Sequence, residues 1–126
     1  MTSIERISVD QMDAWTLIQI ADSVLAARCY PVVAPVGQSQ IAILGGYDGN
    51  EYVSDAVVFD TESETCEKVV EANAAFAFYC FGNQSVSRPQ EASLIALVKS
   101  KTSKPQMIAF DASRCQLYVL NEFSDF

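Results

Sequence analysis

Residues 41–60 read Ile41-Ala42-Ile43-Leu44-Gly45-Gly46-Tyr47-Asp48-Gly49-Asn50-Glu51-Tyr52-Val53-Ser54-Asp55-Ala56-Val57-Val58-Phe59-Asp60. Two short apolar runs, 41–45 and 56–60, flank a segment rich in Gly, Asp and Asn. β-branched and aromatic residues favour extended backbone, and Gly, Asp and Asn favour the turn between two strands. The same pattern continues outward in both directions. Strands are predicted at 4–9, 15–20, 31–36 and 66–69, weakly near 84–86, and at 93–98, 106–111 and 116–120. Turns fall at 10–13, 37–40, 61–65, 87–91 and 112–114. Ala21, Ala26 and Ala27 would support a helix over 19–27. That stretch reads instead as a loop with at most one helical turn, because Pro31 and the strand pattern follow closely.

The strands repeat. Ile7-Ser8-Val9-Asp10, Val57-Val58-Phe59-Asp60 and Ile108-Ala109-Phe110-Asp111 each end in an aspartate before a polar turn and another short apolar strand. The aspartates are 50 and 51 residues apart; Cys29 to Cys80 and Trp15 to Cys66 are both 51. A period of about 50 residues with four strands per unit marks a propeller blade, because one such sheet cannot cover both of its own faces.

Residues 28–69 resemble one complete kelch repeat. Arg28 precedes the first strand, the second ends in Gly45-Gly46, and the loop 47–52 is followed by a third strand with the aromatic-Asp ending Phe59-Asp60. Cys66 stands where the family usually has Trp, and Trp15 fills that place in the preceding unit. The resemblance implies an all-β, partial kelch-type β-propeller built of four-stranded antiparallel blades. Residues 1–20 read as half a blade, 28–70 as a complete repeat, and 79–120 as a degenerate one with Val98-Lys99 near the double-glycine position. A ring of about six blades needs more than these two and a half. The chain therefore reads as part of a larger propeller, expected to need the remaining blades or to self-associate.

The composition narrows function. Eight Lys and Arg against 16 Asp and Glu give a net charge of −8, which argues against a nucleic-acid partner. The longest apolar run, 74–81, is far too short for a membrane helix, and residues 1–6 do not open a secretory signal. The chain has no histidine, the commonest general base and metal ligand. Cys29, Cys66, Cys80 and Cys115 form no CxxC pair, so no zinc site is expected. An even number of cysteines allows two disulfides; buried free thiols in a cytoplasmic protein are the preferred reading. Gly45-Gly46 lacks the GxxxxGK[ST] pattern of a phosphate loop. No cofactor, metal or catalytic residue is expected.

Structural roles are expected for the remaining signals. Gly45 and Gly46 allow close backbone approach, Asp10, Asp60 and Asp111 cap turns, and Trp15 packs between blades. Naming the strands of a blade a to d, the b–c and d–a loops emerge at one end and the a–b and c–d turns at the other. The first pair, 47–54, 21–28, 71–79 and 99–105, is the longer, and long loops on a rigid scaffold carry binding. Tyr47, Asp48, Asn50, Glu51 and Tyr52 of one loop and Lys99, Lys101 and Lys104 of another are the candidate binding residues, the lysines as a landing site for acidic peptide. Asp48, Glu51 and Asp55 are read as the acidic charges of the first loop. The resemblance implies a protein-interaction module, as a substrate adaptor or cytoskeletal organiser. The alternative is part of a propeller enzyme whose site lies in other blades.

Overall fold

The computed structural model describes residues 2–6, 15–70, 78–79, 85–100 and 105–122. The described residues form antiparallel strands, with one 3₁₀ turn at Pro89–Glu91. A two-stranded hairpin joins β1 (Thr2–Arg6) to β2 (Thr16–Ile20). A four-stranded sheet, here sheet one, runs in the order β3 (Val32–Pro35), β4 (Gln40–Tyr47), β5 (Tyr52–Asp60), β6 (Thr65–Val70). Sheet two runs β11 (Gln116–Glu122), β10 (Pro105–Asp111), β9 (Ser93–Ser100); both β7 (Phe78–Tyr79) and β8 (Ser85–Arg88) pair with the far side of β9. Strands 41–45, 56–60 and 66–69 are thus neighbours, as the alternation and turn spacing predict.

The three pieces stack face to face. β3, β4 and β5 alternate so that Val32, Ala34, Ala42, Leu44, Ala56 and Val58 point to one side of sheet one. There they bury against Phe78, Leu94, Ala96, Val98, Ile108 and Phe110 of sheet two. The other side of sheet one presents Val57 and Phe59, with Ile43 and Cys66, to Ile18, Ile20 and Leu25. Sheet one is therefore covered on both faces, and its β5 is buried without interruption from Ser54 to Phe59. Burial of this kind removes the polar face that a half-exposed strand needs.

The two sheets repeat one another in hydrogen-bond detail. Gln40 pairs with Asp60, and Ser93 with Asp111. Asp60 Oδ1 accepts the amides of Glu62 and Ser63 at 2.9 and 3.2 Å. Asp111 Oδ1 accepts those of Ser113 and Arg114 at 3.0 and 3.2 Å. Each turn then closes through a residue of positive φ, Glu64 at 57° and Cys115 at 52°. The next amide along, Thr61 or Ala112, donates to the a–b turn at Ser39 or Ala92 in the same blade. Asp10 lies outside the described residues.

Several expectations change. The 19–27 stretch gives its first two residues to β2 and makes a single turn, in which Val24 and Leu25 amides both donate to the Ala21 carbonyl at 3.0 Å. The weak strand near 84–86 is Ser85–Arg88, and Phe78–Tyr79 is a strand rather than loop. Trp15, expected between blades, is 65% exposed. It precedes β2 on the side opposite Ile18 and Ile20, where no described unit stands. Cys29 and Cys115 are exposed and Cys66 is half-buried, so the thiols are free but not all core residues. Cys29 lies in the connector before β3 and Cys115 at a turn, where backbone geometry rather than packing fixes the position; Cys80 lies outside the described residues.

Candidate functional site

The b–c connection of sheet one is shorter than the sequence indicates. β4 and β5 extend past the double glycine until Tyr47 pairs with Tyr52, leaving only residues 48–51 as a turn. Asp48 builds that turn. Its Oδ1 accepts the amides of Asn50 and Glu51 at 2.8 and 2.9 Å, and its own amide donates to the Glu51 carbonyl. These amides, led by that of Glu51, hold the Asp48 carboxyl below the ordinary aspartate value of 3.8. Gly49 takes a φ of 104°, a backbone region costly for any side chain. The Tyr47 hydroxyl donates to the Gly49 carbonyl at 3.1 Å and lays the ring along the turn.

Three tyrosines converge here. The Tyr47 and Tyr52 rings lie 5.0 Å apart and tilted, and Tyr52 stacks on Tyr79 at 5.0 Å and 24°. Tyr79 belongs to sheet two, and its ring is buried, while Tyr52 is 36% exposed. Offset and tilted contacts at these distances are favourable arrangements for aromatic pairs. Tyr79 also pairs through its backbone with Lys99, so the end of β9 reaches the same end of the two sheets. The structure thus brings Tyr47, Asp48, Asn50, Glu51 and Tyr52 together, while Lys99 is placed next to Tyr79 along β9, on the side of that strand that carries Ile95 and Leu97. Lys101 and Lys104 lie outside the described residues. The sequence reading missed Tyr79, which stands in a stretch taken for loop; its aromatic neighbour Phe78 was the available signal for a strand.

Asp55 is the main correction. It is not a loop charge: it lies inside β5 and its side chain is only 5% exposed. The Arg28 guanidinium grips it with two nitrogens, Nη1 on Oδ1 and Nη2 on Oδ2, the latter at 3.1 Å. Arg28 donates further to the Ala26 and Gly45 carbonyls, each at 3.1 Å. This fork ties the d–a connector to the double-glycine bulge, where the β4–β5 register shifts between Leu44 and Gly46. The sequence carried a signal: between Arg6 and Lys68, Arg28 is the only basic residue.

Gly45 and Gly46 sit within β4 rather than at its end. A Cβ on Gly45 would lie 2.5 Å from the Phe78 ring, and one on Gly46 would lie 2.7 Å from the Cys29 carbonyl. Both have positive φ, 61° and 108°. The bare backbone lets the fully buried Phe78 close against sheet one, and lets the d–a connector bridge from Cys29 to Tyr47.

Stacked antiparallel sheets define an all-β fold consistent with part of a β-propeller. Residues 28–72, which contain the whole of sheet one, match the Kelch motif. No curated protein matches the chain. Kelch repeats are, in general, protein-interaction modules. Among the described residues no helix is long and apolar enough to cross a membrane.

Proposed function

We propose that the chain is a non-catalytic, protein-binding segment of a kelch-type propeller, organised as half a blade at 1–20, a repeat at 28–70 and a degenerate repeat at 79–120. It takes a partner segment at the end of the sheets carrying the 47–52 hairpin. The observation that carries this reading is the tyrosine ladder Tyr47–Tyr52–Tyr79, whose middle ring, Tyr52, is partly exposed beside the Asp48 turn. Tyrosine contributes a large contact area at little entropic cost and is enriched among residues that dominate binding. Asn50 and Glu51 belong to the turn that joins Tyr47 to Tyr52, and Lys99 is the β9 partner of Tyr79. The complementary partner offers an aromatic or aliphatic residue for Tyr52 and acidic residues toward the lysines at 99, 101 and 104. Free thiols at Cys29, Cys66 and Cys115 suit the reducing cytoplasm.

Peptides selected from a random displayed library against the folded chain provide the test. Tyr52→Ala is expected to weaken the selected peptides by about 30-fold, the effect of losing about 2 kcal/mol at a dominant contact. Lys99→Glu is expected to weaken the acidic ones selectively. Selected peptides that bind both variants as tightly as the parent would overturn the reading.

A further inference from the structure

Two apolar faces stand at opposite ends of the stack. At one end, Leu17 and Trp15 are 55% and 65% exposed on the side of β2 that points away from sheet one. At the other, sheet two turns Val86, Ile95, Leu97 and Tyr118 outward, with exposures of 39% to 69%. Three of them share one row: Val86 pairs with Ile95, Ile95 with Ala109 and Ala109 with Tyr118 across the sheet, and Leu97 lies two residues beyond Ile95 on the same side of β9. A hollow of about 330 Å³ opens along that row, between Arg88 and Asp111 at one side and Tyr118 at the other.

The internal repeat states what such a face is built to meet. Aligning Gln40 and Asp60 with Ser93 and Asp111 places Ala42 and Leu44 opposite Ile95 and Leu97. In sheet one, Ala42 and Leu44 lie on the face that sheet two covers. The outward face of sheet two is therefore the same kind of face, without its cover. Likewise, Cys66 occupies the place that Trp15 holds one 51-residue repeat earlier, and Cys66 sits on the face of sheet one that the hairpin covers. Trp15 and Leu17 thus occupy the covering side of the same repeated interface. The chain forms this interface twice within itself and presents both unmatched halves. Charge agrees with the match: Glu5 pairs across the hairpin with the exposed Leu17, and Lys99 lies two residues beyond Leu97 on the same side of β9.

The geometry points to a second copy of this chain as the occupant: Trp15 and Leu17 of one copy seat in the Val86–Ile95–Tyr118 hollow of the next. Such a contact is heterologous, each copy using one face to give and the other to receive, so association continues beyond two copies unless a ring closes. Large apolar side chains left in water drive it.

Trp15 is the single tryptophan of the chain, so its emission reports on this contact directly. Sedimentation and tryptophan fluorescence of the 126-residue chain are followed together over a concentration series. Association with a blue shift of the emission is expected. Trp15→Glu and Leu97→Glu are each expected to weaken association tenfold or more. Mixed in equal amounts, the two variants should form dimers and nothing larger, since each retains the half the other lacks. Three results would overturn the inference: a monomer with exposed tryptophan at all concentrations, as when further blades of a longer polypeptide are the true cover; association without a blue shift; or variants that do not complement on mixing.

Discussion

A single buried fork decides where the most informative residue stands. Asp55 and Arg28 are both almost fully removed from water, and each satisfies the other through two nitrogen–oxygen contacts. Desolvating two ions costs several kcal/mol, so the pair adds little net stability over an apolar pair of the same shape. Breaking it is a different matter, because the surviving charge stays buried. Asp55→Ala is expected to destabilise the chain by about 3–5 kcal/mol, leaving the Arg28 guanidinium with only the Ala26 and Gly45 carbonyls. The double variant Arg28→Met, Asp55→Leu should recover most of that loss. Urea unfolding of the three variants measures it; an Asp55→Ala loss below about 1 kcal/mol would show that the site rehydrates instead.

At the scale of elements, an aspartate caps the corresponding turn of each sheet, Asp60 in one and Asp111 in the other. The Ser113 hydroxyl, then burial in the opposite sense, and the Ser113 and Arg114 amides leave the Asp111 carboxyl below 3.8, and the hairpin amides do the same for Asp48. A carboxyl with a lowered folded pKa binds its proton less readily folded than unfolded. Its stabilisation is therefore complete above 3.8 and is lost as pH falls through the lower folded value. Melting temperature should fall below about pH 4, and Asp48→Asn with Asp111→Asn should flatten that fall. Circular dichroism melts between neutral pH and pH 2 follow both curves; an unchanged slope in the double variant would assign the acid loss to other carboxylates. The turns were legible in sequence because an aspartate's hydrogen bonds are local. Strand ends were not. Register is set by pairing between strands, so β4 and β5 ran through Gly46 and Val53 to the tyrosine pair, and Asp55 moved from loop to core. The half of the site supplied by Tyr79 was equally hidden, since Phe78–Tyr79 is a strand only through its two pairs with β9.

The whole molecule is held as a stack, and the seam between the two sheets runs through one glycine. Phe78, fully buried, lies over Gly45 so closely that a methyl there would meet the ring at 2.5 to 2.7 Å and the Phe78 carbonyl at 2.9 Å. The Gly45 carbonyl meanwhile accepts the Arg28 guanidinium, so the same residue serves the fork in sheet one and the seam to sheet two. Phe78→Ala should cost about 3–5 kcal/mol, the loss expected when a buried phenylalanine leaves a cavity. Gly45→Ala should also destabilise, through two separable causes: a φ of 61° that disfavours a side chain, and the collision with Phe78. Phe78→Ala removes the ring part of the collision and leaves the Phe78 carbonyl at 2.9 Å. Placed in the Phe78→Ala background, Gly45→Ala should therefore cost less than in the parent, with about 1 kcal/mol of backbone strain and the carbonyl contact remaining. A double-mutant cycle in urea measures the difference, which is the coupling across the seam. Costs that simply add would mean that sheet two can shift away from Gly45 without loss, and that the two sheets are held together by the surrounding apolar cluster rather than by this contact.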